Sequence, residues 1–291
     1  MEWSAECYNQ WEEGDINISF DPEYPDYLYD MFAGVDYEID LSQPKGERIK
    51  NVMFKGEPLE DDQTLTLAVN NYRYSSALKA QGIVSGTKEW ESSNSIRDMI
   101  VAYFAAHSPV APTVDNNWKI VGVDLNEDDP RRAELISYIN AGLLPAPYSA
   151  SYNLADYDAL VAQARDNAPV LVDGAPKAAA ALDGFYRLRD LAAALNGTGK
   201  QFNVEWIDSR VVITTGAAYT AEPLPAATVP AFEASGSITV LVDGQPVEVT
   251  AQVYQGNYYV SADAVSTLLD VQAAQADSTL ILTVDTAADA G

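Results

Sequence analysis

Leu65, Leu67 and Val69 alternate with Thr64, Thr66 and Ala68, a two-residue period that predicts a half-buried strand. That strand runs straight into Asn70-Asn71-Tyr72-Arg73, with no turn-forming Gly or Pro. A polar strand end of this kind is either a ligand-contacting edge or a solvated terminus with a snorkelling Arg. The same period recurs at Ile16, Ile18 and Phe20, and at Val35, Tyr37, Ile39 and Leu41. RIKNVMFKG, the polar turn EPLEDDQ and the Leu65 strand together predict a hairpin. Trp3, Cys7 and Trp11, four apart, predict an amphipathic helix that begins without a cap, so the chain reads as cut at its start. SSNSIRDMIVAYFAAH predicts a second helix, with Ile96, Ile100, Tyr103 and His107 on one stripe and Ser95 and Asp98 at capping-box spacing. DNNWKIVGVDL predicts a closing strand, which makes residues 1–122 an expected α+β domain.

Residues 123–166 read as a helical connector. Asp129 and Pro130 supply an N-cap and a first-turn proline for RRAELISYINAG, and ADYDALVAQAR predicts a second helix. Beyond 166 the chain repeats itself. VLVDGAPK (170–177) matches VLVDGQPV (240–247), GFYRLRDLAAAL (184–195) matches GNYYVSADAVSTLL (256–269), and DSRVVITT (208–215) matches DSTLILTV (277–284). Each copy, 167–217 and 237–286, reads as a ββαββ unit, and an Ala- and Pro-rich linker over 218–236 separates them. Copies of about 50 residues bury little core alone, so the two are expected to pack as one module.

Charge narrows the partners. With 43 acidic and 17 basic residues the net charge is −26, and no Lys or Arg follows Arg210. Such a surface repels nucleic-acid polymers, whose recognition begins with a basic footprint, and disfavours anionic membranes. No apolar run reaches the ~20 residues of a membrane span. The N-terminus lacks the basic and apolar regions of a secretory signal. Cys7 is the only cysteine, which excludes an internal disulfide. One histidine, His107, cannot build a zinc or dinuclear centre and is expected to be a partly buried residue near a helix end. The carboxylate runs Glu60-Asp61-Asp62 and Glu127-Asp128-Asp129 read as solvated faces. The aromatic residues carry more. Tyr24, Tyr27, Tyr29 and Phe32 crowd one loop, while Tyr72 and Tyr74 crowd the strand end. Such rings either fill a core or clamp a planar ligand, at ~1–3 kcal/mol per stacked base.

MEWSA, GDINISF, YDMFAGVDYEIDLSQPKGERI, VNNYRYSS and DNNWKIVG occur in this order over residues 1–122. In order and spacing they resemble the C-terminal domain of the 5′-nucleotidase family, whose relatives include the 2′,3′-cyclic-nucleotide 2′-phosphodiesterase/3′-nucleotidases. The resemblance implies a partial nucleoside-binding domain that holds the base between two aromatic rings. Tyr72 matches one ring, and either Tyr29 or Phe32 supplies the other. Asn70, Asn71 and Arg73 would face the ribose or base edges. It further implies that hydrolysis belongs to a metallophosphoesterase domain outside this chain, holding two divalent metal ions. A domain rotation would bring substrate to those metals. The chain alone, with no cofactor of its own, is expected to be inactive.

YRLRDLAAAL and VEWIDSRVVITTG resemble a half-repeat of the stalk domain labelled copper amine oxidase N-terminal-like, over about 168–285. That domain occurs in exported, cell-surface proteins of Gram-positive bacteria. Neither copy holds a His or Cys, so copper chemistry is not expected. The resemblance implies an extracellular or cell-wall location, a signal peptide upstream and a cell-wall component as partner. Two functions remain open: the nucleoside- or nucleotide-binding portion of an exported phosphohydrolase, or a non-enzymatic surface binding or spacer module.

Overall fold

Glu2 fixes how the first unit begins. Its carboxylate accepts from the backbone N–H of Arg48 at 3.0 Å and of Ile49 at 2.7 Å, tying the helix α1 (Glu2–Ala5) to the start of a strand. In return the Arg48 guanidinium, 1% exposed, donates to the carbonyls of Ala5, Tyr8 and Gln43 at 2.9, 2.7 and 3.1 Å. A buried cation is costly unless its donors are engaged, and here they close the end of α1. The computed structural model describes residues 1–25, 28–84, 90–221 and 229–284. These fall into two compact units, Met1–Asp124 with Ser149–Ser151, and Leu125–Tyr148 with Tyr152–Gly291. Both are mixed α and β, as the sequence pattern predicts.

In the first unit, β1 (Asp36–Asp40), β2 (Ile49–Phe54), β3 (Glu57–Pro58) and β4 (Trp118–Val121) form one sheet in the order β3-β2-β1-β4. β1 is antiparallel to β2 and parallel to β4. Ala5, Cys7, Tyr8, Tyr37, Ile39 and Leu41 are buried together beside it. Burial pushes the Cys7 thiol up to about 11, which keeps it protonated at neutral pH.

Four sequence expectations change here. The opening helix stops at Ala5 instead of running to Trp11, because Tyr8 turns into a bridge with Phe20 and the Trp11 N–H donates to Leu41 O. The alternation at Ile16–Phe20 yields only that single bridge. Leu65–Val69 is not a strand: the slot beside β2 is filled by β3, reached through the tight turn Lys55-Gly56, both at positive φ. Pro58 then ends β3, having no N–H to extend the ladder. Leu65, Leu67 and Val69 are left 40%, 50% and 40% exposed. They lead into α2 (Asn71–Arg73), continued by a π-helical stretch over Tyr74–Lys79. The helix α3 (Ile96–His107) forms as expected, with Ser95 Oγ accepting from Asp98 N at 3.0 Å. None of its residues is buried, and His107 is exposed, not partly buried, with its ring stacked on Tyr103 at 4.2 Å.

The second unit opens with α4 (Pro130–Asn140), capped by Asp129, and α5 (Tyr157–Asn167). The Glu134 carboxylate accepts from both Tyr138 and Tyr157 hydroxyls and so joins the two helices. The first repeat supplies β5 (Val170–Val172), β6 (Ala175–Lys177), β7 (Ala181–Leu182), β8 (Phe185–Arg187), α6 (Leu188–Ala194), β9 (Phe202–Ile207) and β10 (Arg210–Thr215). The second supplies β11 (Ala234–Val242), β12 (Gln245–Tyr254), β13 (Asn257–Ser261), α7 (Ala262–Leu269), β14 (Gln272–Ala276) and β15 (Thr279–Thr283). One sheet runs β7-β8-β13-β12-β11-β10-β9 and another β14-β15-β5-β6.

The two copies interlock. The last strand of each pairs, in parallel, with the first strand of the other: Val211 opposite Val240, and Leu280 opposite Val170. These pairs occupy corresponding positions of the aligned repeats. β8 and β13 meet antiparallel about Tyr186 and Val260, so the exchange has a local two-fold relation. Val170, Tyr186, Leu191, Phe202, Ile213, Val240, Val260, Val265, Leu280 and Leu282 form one core drawn from both copies. Part of the expected linker is structured: Tyr219 and Val229 are buried, and β11 begins at Ala234, inside the stretch read as linker. A bare Ala/Pro pattern does not show that its few apolar residues have a core to reach. Residues 222–228 of that stretch lie outside the described residues.

Candidate functional site

The Asn-Asn-Tyr-Arg motif starts a helix. Asn70 is extended, at φ −71 and ψ 154, and its Oδ1 accepts from Arg73 N at 2.7 Å. That is the work of an N-cap, and Asn is among the residues that do it best. Capping commits the Asn70 oxygen, while Asn71 on the first turn is exposed. Tyr72 projects with 66% of its surface exposed, and Ser76 Oγ donates to its carbonyl at 2.6 Å. A polar strand end is thus replaced by a helix start that presents an aromatic ring.

Arg73 turns the other way. Its Nε lies 3.1 Å from Asp30 Oδ1, with side chains only 12% and 29% exposed. This ion pair brings the Tyr29–Phe32 segment beside the Asn70–Arg73 segment. Both candidate groups are therefore drawn together by a residue, Asp30, that the sequence reading did not single out. No local pattern links an acid and a base 43 positions apart (30 to 73).

Tyr29 and Phe32 stand in different surroundings. The Tyr29 hydroxyl accepts from Tyr8, and its ring meets Tyr8 and Phe20 edge-on at 5.2 and 5.9 Å. Burial raises its phenol well above the usual range. Phe32 is half-buried, with its ring edge-on to Tyr37 at 6.2 Å. Its backbone is held at both ends: Phe32 N donates to Tyr37 Oη at 3.3 Å, and Asn117 Nδ2 donates to Phe32 O and Val35 O at 2.7 Å each. Asn117, just before β4, fixes the loop that carries Phe32, a role its place in DNNWKIVG did not reveal. Tyr24 donates to Glu6 at 2.7 Å, a hydrogen bond that pushes its phenol up to about 12. Tyr27 lies outside the described residues.

Among the described residues no three His, Cys, Asp or Glu side chains converge as metal ligands. The described residues present do not fit a dinuclear metal centre. What the arrangement offers is an exposed ring on α2, a second ring on an anchored loop, and an ion pair tying the two segments. Also among the described residues, no helix is long and apolar enough to cross a membrane.

Residues 11–81 match the family model of the 5′-nucleotidase C-terminal domain. A 2′,3′-cyclic-nucleotide 2′-phosphodiesterase/3′-nucleotidase of Yersinia enterocolitica is 33% identical over 150 residues, covering 45% of this chain and 22% of that protein. The protein of the same description from Salmonella typhimurium is 33% identical over 113 residues, or 33% of this chain and 17% of its own. A trifunctional nucleotide phosphoesterase of Bacillus subtilis is 26% identical over 137 residues, or 42% of this chain and 9% of its own. The chain spans about a fifth or less of the length of these relatives. No solved structure matches it. The N-terminal part of the chain is therefore similar to the C-terminal part of nucleotide phosphoesterases at the family level.

Proposed function

We propose that the first unit is the nucleoside-binding part of a nucleotide phosphohydrolase of the 5′-nucleotidase or 2′,3′-cyclic-nucleotide phosphodiesterase kind. The observation that carries the reading is the Arg73–Asp30 ion pair, which joins the segment carrying exposed Tyr72 to the segment carrying Phe32. We assign the two stacking faces to Tyr72 and Phe32. Tyr29 is the weaker choice, because its hydroxyl and two ring edges are already engaged within the Tyr8–Phe20 cluster. Asn71 is the amide left to meet a ribose or base edge, since Asn70 is spent on the cap. Phosphate ester hydrolysis falls to two divalent metal ions held by a metallophosphoesterase part outside these residues, and the chain alone is inactive. The interlocked repeats form a stalk, and the parent protein is exported and held at the cell surface or wall.

The test is a titration of adenosine with the chain, read by proton NMR. Stacking between two rings shifts the adenine H2 and H8 resonances upfield, and Tyr72→Ala abolishes the shift. An equal shift in Tyr72→Ala would sink the clamp. The exposed apolar residues of α3 favour a second reading, in which this unit is a binding or spacer module that docks another surface. On that reading adenosine shifts nothing.

A further inference from the structure

Trp206 of β9 and Tyr258 of β13 stack on each other, ring centroids 5.5 Å apart and planes 20° apart. In the sheet order these strands are four places apart, which in a flat sheet would separate them by about 19 Å. The sheet therefore curls until its edge strand faces β13, and the two stacked rings form a shelf between these strands. Trp206 keeps 52% of its surface exposed. A buried indole would need no explanation, but one left half in water against another ring is an open platform.

Two cavities meet on this shelf, sharing Trp206, Val211 and Tyr258. One of about 460 Å³ adds Arg189, Glu205 and Asn257, and one of about 270 Å³ adds Arg210 and Thr239. Each cavity thus holds one guanidinium, and both arginines are exposed. Among the described residues neither has a carboxylate within ion-pair distance, on a chain with 43 acids for 17 bases. Where acids outnumber bases so heavily, two arginines without acidic partners at one platform mark a place for an outside anion.

We propose that this cleft binds an acidic oligosaccharide, a chain of sugar rings bearing carboxylates. The C–H face of a pyranose is apolar and weakly positive, so it lies against the electron-rich face of Trp206 or Tyr258. Glu205 and Asn257 meet its hydroxyls as acceptor and donor, and Arg189 and Arg210 pair its carboxylates. Two adjoining cavities that share the shelf suit several linked rings better than one base. This site lies wholly in the second unit and does not depend on the nucleoside reading.

The probe is tetragalacturonate, titrated calorimetrically into the full chain, with maltotetraose as the neutral control and AMP as the nucleotide control. Tetragalacturonate is expected to bind, and maltotetraose about tenfold or more weakly. Trp206→Ala should weaken binding about tenfold, the loss of one stacking contact. Arg189→Gln with Arg210→Gln should do the same and remove its dependence on salt. Tyr72→Ala should leave it unchanged. Because Trp206 and both arginines are exposed, far-UV circular dichroism should show each variant folded as the parent. Equal binding of maltotetraose, binding of AMP that depends on Trp206, binding untouched by Trp206→Ala, or no binding of tetragalacturonate each overturns the proposal.

Discussion

Asp173 and Asp243 stand at the same turn of the two repeats, and each carboxylate holds the last strand of the other copy. Asp243 accepts from Thr215 N at 3.0 Å and from Thr215 Oγ1 at 2.6 Å, while Asp173 accepts from Val284 N at 2.9 Å. Their own N–H groups donate to Ile213 O and Leu282 O, again corresponding positions. Both residues sit at positive φ, 47° and 49°, a conformation Asp tolerates better than most because its short side chain bonds nearby backbone. The Asp-Gly turns thus do two jobs: they reverse the chain, and they lock the exchanged strands that make two small repeats one core.

The pH dependence of that lock follows. The Thr215 hydroxyl and amide hold the Asp243 carboxyl below the usual carboxylate range. A group whose folded value is depressed stabilises the fold above its unfolded pKa, about 3.9, and loses that effect as pH falls through the folded value. Asp243→Asn should therefore unfold at lower denaturant than the parent at pH 7, with the gap closing below about pH 4. Denaturation midpoints at both pH values check this, and an equal gap at each would remove the carboxylate from the lock.

Asp190 anchors the first repeat from a buried position. Its Oδ2 accepts from Arg187 Nε at 2.9 Å and from Ala180 N at 2.7 Å, and the two side chains are only 11% and 5% exposed. Removing one partner of such a pair leaves an uncompensated buried charge and costs about 3–5 kcal/mol. Asp190→Ala should lose that much in urea unfolding followed by circular dichroism. Arg187→Met in the same chain should restore part of it, because the stranded charge is gone. A loss under about 1 kcal/mol, the range of an exposed pair, would refute the buried-pair account.

The helix α3 carries Met99, Ile100, Val101 and Phe104 at 45%, 52%, 63% and 52% exposure. Contiguous apolar surface of this kind binds hydrophobic dyes and drives self-association. Ile100→Lys with Phe104→Glu should reduce dye fluorescence and the concentration dependence of sedimentation while leaving helix content unchanged. Dye binding that persists in this variant would move the exposed patch elsewhere, to Leu65–Val69 first.

What the sequence made legible was local. Ser95 with Asp98 and Asp129 with Pro130 announce helix starts because a cap satisfies backbone donors within one turn. Leu65–Val69 misled because alternation specifies a half-buried face but not whether a sheet edge is free to receive it, and β3 had taken that edge. Trp3, Cys7 and Trp11 misled likewise, since the bridge from Tyr8 to Phe20 outweighed helical spacing. The repeats were visible as matched segments, yet parallel pairing of Val211 with Val240 is a choice of partner that no periodicity encodes. At the site, Tyr72, Arg73, Tyr29 and Phe32 could be named from a family resemblance. Asp30 and Asn117 could not, because an ion pair and a loop anchor are defined by three-dimensional neighbours.

Asp30 offers the sharpest test of the candidate site, because it pairs with Arg73 while the proposed stacking falls to other side chains. If the pair sets Tyr72 against Phe32, then Asp30→Ala weakens adenosine binding although both rings remain. A displaced stacking partner costs about 1–3 kcal/mol, or roughly five- to 150-fold in affinity. Arg73→Ala should weaken binding at least as much. The exchanged pair, Asp30→Arg with Arg73→Asp, should recover a measurable part, since the attraction survives reversal even if its geometry is imperfect. A purely structural role would instead lower stability in all three variants and leave the affinity of the folded fraction unchanged. Affinity by NMR and unfolding midpoint, measured on the same samples, separate the two. Full binding by Asp30→Ala would leave the ion pair with no part in recognition.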